Sequence, residues 1–176
     1  MLFRSKGSDL LVAAFERLQR HYDGAISLVM AGPACSFERG DAPSAGGTAV
    51  DPSIKYLGPV QEGELSALYN AADLFVMPTR NLEMFGMAAL EAQACGRPVI
   101  ASDHGGLREF VNESNGDRFR NGDVDSLVAA IRPLIDDAAL RRSKGYRAMQ
   151  DAQQYSWTSV AEKSLSIYEG LRASKT

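Results

Sequence analysis

Asp73-Leu-Phe-Val-Met-Pro-Thr79, Phe85-Gly-Met-Ala-Ala-Leu-Glu-Ala-Gln-Ala-Cys95 and Pro98-Val-Ile-Ala-Ser102 follow one another in direct succession. The first and last are short apolar runs bounded by proline, as buried strands are. Pro78 closes the first at its carboxyl end, a place where a strand tolerates proline. The middle run is rich in alanine and has helical length. Strand, helix and strand joined by short connections make a parallel pair with a crossover.

The same alternation extends outward. Upstream, residues 62–72 read as a helix with Leu65, Leu68 and Tyr69 on its apolar side, and residues 54–60 and 26–32 as strands. Residues 9–19 read as a helix with Leu10, Leu11, Ala14, Phe15 and Leu18 on one face. Downstream, a helical turn or two is expected at 107–111, a short edge strand at 117–120, and helices at 124–135, 140–154 and 156–171, the last capped by Ser156. Residues 33–52 carry Gly, Ala, Ser and Pro without periodicity, the pattern of a long mobile loop. The fold class predicted is α/β, a doubly wound and mostly parallel sheet with helices on both faces. One domain over residues 1–138, with helices from 139–176 packed on it, accounts for the 176 residues. In such sheets ligands bind beyond the carboxyl ends of the strands. The loops after Gly32, Val60, Thr79 and Ser102 are therefore the ones expected to carry function.

Composition narrows the classes. The net charge of −3 gives no support to a nucleic-acid protein. Arg141, Arg142 and Lys144 form a small basic cluster, read as a solvated helix face, with peripheral contact to an anionic membrane as the other reading. Cys35 and Cys95 belong to no ligand-spaced cluster, and Cys95 before Gly96 reads as a small buried hydrophobe at a helix end. No metal site is expected. No apolar run approaches the roughly 20 residues of a membrane span, and no signal pattern opens the sequence. A cytoplasmic protein is the expectation.

Two carboxylates flank the start of the middle run. Glu83 falls in the loop after the first strand, and Glu91 lies inside the helix. A rise of 1.5 Å per residue separates them by about 8–12 Å, too far for a retaining glycosidase pair acting on one bond. The spacing suits two acids gripping different parts of one long ligand. The amides of Phe85, Gly86 and Met87 open the helix without partners, which makes a phosphate their natural occupant. Glu91 could accept from ribose hydroxyls and Glu83 from sugar hydroxyls. A single glutamate in a loop or an amphipathic helix ordinarily faces water; the pair together with Pro78, Gly86 and the alanine-rich helix points to a ligand.

The string Met77-Pro-Thr-Arg-Asn-Leu-Glu-Met-Phe-Gly-Met-Ala-Ala-Leu-Glu-Ala-Gln-Ala-Cys-Gly-Arg-Pro-Val-Ile-Ala-Ser102 closely resembles the donor-site signature of retaining GT-B glycosyltransferases, family 4-like. Lys6-Gly7, Tyr56-Leu-Gly58, Ala71-Ala-Asp73, Gly105-Gly106 with Glu109, and Tyr155-Ser-Trp157 are similar to landmarks of the same family. The resemblance implies a Rossmann-like domain that binds a UDP-, GDP- or ADP-sugar and transfers the sugar with retention. It gives Glu83, with the backbone of Phe85 and Gly86, to the donor sugar, and the Met87 amide to the distal phosphate. It gives Glu91 to ribose and Lys6 to the diphosphate. The strand containing Leu57 would face the base, and Gly105 and Gly106 would keep a loop close to the ligand. Arg80 could reach phosphate but matches no obligatory family position, and His104 reads as a polar loop residue.

The match covers only the C-terminal domain of that family. The N-terminal domain, which binds the acceptor, is expected in cis or in trans. The family opens this domain with a strand ending in Gly-Arg, which Met1 to Phe3 and Arg4 do not reproduce. An open slot in the sheet, favouring a homodimer or a borrowed strand, is the expected result. Alternatives to an enzyme half are a non-catalytic nucleotide-sugar-binding or scaffolding module and a fragment of a sugar-nucleotide epimerase.

Overall fold

The apolar run at residues 98–102 becomes the most deeply buried strand, and the other elements are arranged about it. The computed structural model describes residues 6–32 and 52–173; Met1 to Phe3, Arg4, Cys35 and nearly all of the loop expected at 33–52 lie outside them. In chain order the elements are α1 (Ser8–His21), β1 (Leu28–Ala31), β2 (Ile54–Gly58), α2 (Glu62–Ala71), β3 (Phe75–Met77), α3 (Met87–Ala94) and β4 (Val99–Ser102). They are followed by α4 (Leu107–Phe110), β5 (Gly116–Phe119), α5 (Val124–Asp136), α6 (Ala138–Ala152), a 3₁₀ turn (Gln153–Tyr155) and α7 (Trp157–Ala173).

All strand pairings among these residues are parallel. β4 lies between β3 and β5, with Phe75 opposite Val99 and Ile100 opposite Asp117. Side chains along a strand alternate between faces, and β4 divides the core accordingly. Val99 and Ala101 pack with Ala89, Leu90 and Ala92 of α3, Tyr69 of α2, and Leu107 and Phe110 of α4. Ile100 packs on the other side with Leu10, Ala14 and Leu18 of α1 and Leu127, Ile131 and Leu134 of α5. Helices thus cover both faces of the three-stranded sheet.

β1 and β2 form a separate two-stranded sheet. α1 serves both: its Val12 and Phe15 bury against Ile54, with Leu28 and Met30 alongside. No hydrogen bond joins β1 to β3 among the described residues. The cost shows in burial. Val29 of β1 is 45% exposed and every residue of β3 is only half-buried, whereas β4 is buried throughout.

Several sequence-based boundaries change for local reasons. The strand expected at 73–79 shortens to β3, Phe75–Met77, and at its carboxyl end Pro78 has no amide proton for the ladder. Ser156 does cap α7, accepting from the Ser159 amide at 3.2 Å. Of the basic cluster expected as a solvated face, Arg142 is exposed, while Arg141 and Lys144 are ties. Arg141 donates to the Leu134 carbonyl at 2.6 Å and pairs with Asp73 at 3.3 Å, and Lys144 donates to the Gly116 carbonyl at 2.8 Å. Each cation satisfies a carbonyl that its element leaves unpaired, and together they fasten α6 to α5 and β5. α6 also presses on the turn after α3, where a Cβ at Gly145 would stand 2.3 Å from the Gly96 oxygen. No helix among the described residues is long and apolar enough to cross a membrane.

Candidate functional site

The carboxyl ends of β3 and β4 lead into two loops that lock together. The buried Ser102 hydroxyl donates to the Thr79 carbonyl at 2.7 Å, tying the loop origins. Farther out, the Gly106 amide donates to the Glu83 carbonyl at 2.8 Å. A Cβ added at Gly105 would stand 2.3 Å from the Glu83 oxygen, and one at Gly106 would stand 2.1 Å from the Met84 oxygen. Both lie far inside van der Waals contact. These glycines were expected to hold a loop close to a ligand; what they approach is the backbone that carries Glu83.

Gly86 has φ of 92°, so it stands outside the helix as its N-cap and α3 begins at Met87. Glycine visits this region without the penalty a Cβ brings. The expected helix start at Phe85 is therefore corrected by two residues. The amides of Ala89 and Leu90 turn back to the Gly86 carbonyl at 3.0 and 3.2 Å. Met87 and Ala88 supply the amides that precede the ladder, where the macrodipole concentrates positive charge. Phe85, expected to supply one of those amides, is an anchor: its ring lies 5.4 Å from Phe110 and 5.7 Å from Tyr155.

Lys6 joins this loop from the far end of the sequence. A Cβ at Gly7 would stand 1.8 Å from the Pro78 oxygen, which fixes the entry to α1 against the end of β3. Lys6 Nζ then donates to Glu83 Oε2 at 3.1 Å. The lysine side chain is 59% exposed and that of Glu83 21%, so the pair contributes little to stability. It does place an ammonium and a carboxylate side by side at the mouth of the two loops.

Arg80 is engaged elsewhere. Its guanidinium pairs with Asp9 in the first turn of α1, and its carbonyl accepts from Asn121 at 3.1 Å. The guanidinium that was expected to be able to reach phosphate is turned to Asp9, a tie that neither residue's local pattern announced. Glu91 stands further along α3. Its Oε2 accepts from the Tyr69 hydroxyl at 2.9 Å. Burial, and then the adjoining Glu91 carboxylate, pushes the Tyr69 phenol well above its ordinary range. Leu57 lies on β2, in the two-stranded sheet, and His104 donates its amide to the Ser102 carbonyl at 2.7 Å.

Residues 1–137 match the model of the family described as Glycosyl transferases group 1. The chain belongs to this family. A D-inositol 3-phosphate glycosyltransferase of Corynebacterium aurimucosum is 34% identical over 174 residues, covering 95% of this chain and 41% of the relative. Sucrose-phosphate synthase from Thermosynechococcus elongatus superposes with a TM-score of 0.75 at 27% identity, over 97% of this chain and 43% of that one. HepE of Anabaena, solved in complex with UDP and glucose, superposes with a TM-score of 0.75 at 24% identity, over 96% of this chain and 45% of that one. The chain spans less than half the length of the curated relatives it matches here, 28% of one and 42% of another. Its architecture is that of the Rossmann-like C-terminal domain of GT-B glycosyltransferases.

Of the residues singled out in the sequence, the fold brings Lys6, Glu83, Gly105 and Gly106 into one cluster, with Gly86 on the same loop and the Met87 amide opening α3 beside it. Glu91 is set apart with its own partner. Ala88, Asp9 and Tyr69 join the site's surroundings without a signal of their own in the sequence. Tyr69 was counted as apolar surface, and the only signal for its hydroxyl was the general tendency of buried tyrosines to find an acceptor. Among the described residues, no group of three His, Cys, Asp or Glu side chains is placed to hold a metal ion.

Proposed function

We propose that the chain is the donor-binding half of a retaining glycosyltransferase that moves a sugar from a nucleoside-diphosphate sugar to an acceptor. The observation that carries this reading is the contact of Lys6 with Glu83 beside the amides that open α3. Without a donor the ammonium and carboxylate neutralise each other. A donor divides them by charge. The diphosphate takes Lys6 and the amides of Met87 and Ala88, and the sugar hydroxyls donate to Glu83. Glu91 accepts from ribose, and the backbone around Leu57 faces the base. No metal enters the proposal: as the bond from the anomeric carbon to the diphosphate breaks, the growing negative charge on the leaving phosphate meets donors already in place. The acceptor arrives from a second domain, in cis or in trans, on the face of the sugar that leaves the anomeric configuration unchanged.

Uridine diphosphate is a rational first probe, since HepE was solved with it. Titration calorimetry with UDP, GDP and ADP tests binding and names the base. Adding the matching nucleotide sugar, an acceptor and a separately expressed N-terminal half tests transfer, and proton NMR of the product reads the anomeric configuration. Saturable binding with transfer and retention is the expected result. Binding without transfer, with every domain present, would leave a nucleotide-sugar-binding module; no binding of any of the three nucleotides sinks the reading.

A further inference from the structure

We propose that Tyr69 is the positioning residue for the nucleoside end of the site, holding the Glu91 carboxylate in the attitude that accepts a vicinal diol. The inference rests on the reading of Glu91 as the ribose acceptor. A carboxylate offers about four lone-pair sites on two oxygens and turns freely about its last bond unless something holds it. The hydrogen bond at 2.9 Å occupies one site on Oε2 and fixes the carboxylate plane. It leaves Oε1 and the remaining Oε2 site for two neighbouring hydroxyls.

The donor is itself packed into the core. Tyr69 is 9% exposed, sits in the core cluster with Ala89, Leu90 and Ala92, and meets the Phe75 ring edge-on with centroids 5.6 Å apart. Burial, and then the Glu91 carboxylate, push its phenol upward, which favours the protonated, donating form. The tyrosine thus ties the recognition geometry to the packed face of the sheet rather than to α3 alone. Pre-organisation of this kind adds affinity by removing the cost of ordering a flexible acid on binding.

The test is calorimetry with UDP, GDP and ADP and the 2′-deoxy form of each, on the unaltered chain, Tyr69→Phe and Glu91→Ala. Tyr69→Phe keeps the ring and its packing, and thermal melting checks that the fold is retained. The expected result is a ribonucleotide affinity about three- to tenfold weaker in Tyr69→Phe, with a smaller change for the deoxynucleotide, so that the preference for ribose narrows. Equal losses for both forms would show a tyrosine acting through the fold alone and overturn the proposal. So would an unchanged preference in Tyr69→Phe when Glu91→Ala still weakens ribonucleotide binding, in which case the ribose reading itself stands. An unchanged affinity in Glu91→Ala overturns both.

Discussion

Glu83 rides on a loop wedged against another loop, whereas Glu91 rides on a helix and is held by one side-chain hydroxyl. The first arrangement works through backbone proximity: Gly105 and Gly106 come so near Glu83 and Met84 that no side chain fits between. The second works through a directed bond from the buried ring of Tyr69. A loop has no ladder of its own to fix its shape, so its geometry is enforced by volume. A helix already fixes its backbone, and only the end of the side chain needs holding. Substitutions in the two regions should therefore differ in kind as well as in size.

The largest effect is expected at the loop. Gly106→Ala forces a methyl group onto the Met84 carbonyl and should cost about 2–4 kcal/mol of stability, read as a lower urea midpoint. An unchanged midpoint would mean that the two loops separate freely, and the contrast drawn here would break. Next comes Glu91→Ala, expected to weaken nucleoside-diphosphate binding by about 1–3 kcal/mol and to lower the urea midpoint less than Gly106→Ala does, since the buried Tyr69 hydroxyl loses its acceptor. Calorimetry with the nucleotide alone and with the nucleotide sugar should give the same loss. Glu83→Gln should divide those two ligands, losing about 1–2 kcal/mol with the nucleotide sugar and little with the nucleotide. Equal losses would place Glu83 at the nucleotide and erase the division of labour between the acids.

The smallest effect on the fold should come from Lys6→Met. An exposed ion pair contributes under about 1 kcal/mol to stability, so melting should shift little. Diphosphate affinity should nonetheless fall, and its dependence on added salt should become shallower, because a screened charge has been removed. Titrations at low and high ionic strength check both points.

Much of the fold could be read from period and punctuation. Residues 98–102 form a continuous apolar run, and they become a strand buried on both faces. Both members of the acid pair were visible because they bracket a glycine at a helix start. What the sequence could not supply was partnership across long separations. Gly105 and Gly106 announce a close approach but not its object. Arg80 looked available for phosphate because Asp9, its partner, lies in another element. Arg141 and Lys144 looked like solvent-facing charge because the carbonyls they satisfy belong to α5 and β5. Tyr69 fitted the apolar stripe of α2 so well that its polar end went unread. The helix start lies two residues later than expected because Gly86 takes a φ of 92°, which its neighbours in the sequence do not announce.

The same packing has a mechanical consequence. Just ahead of α3 Gly86 packs against the Leu107 side chain, and just behind it Gly96 packs against Gly145. Close packing at both ends leaves the helix little room to shift when a ligand arrives. Under the proposed reading the helix is a measuring rod, with phosphate-facing amides at one mark and a diol-facing acid at another, about 6 Å along the axis. Such a rod does not stretch to meet a shorter molecule, and selection by ligand length then follows from the rigidity of the scaffold.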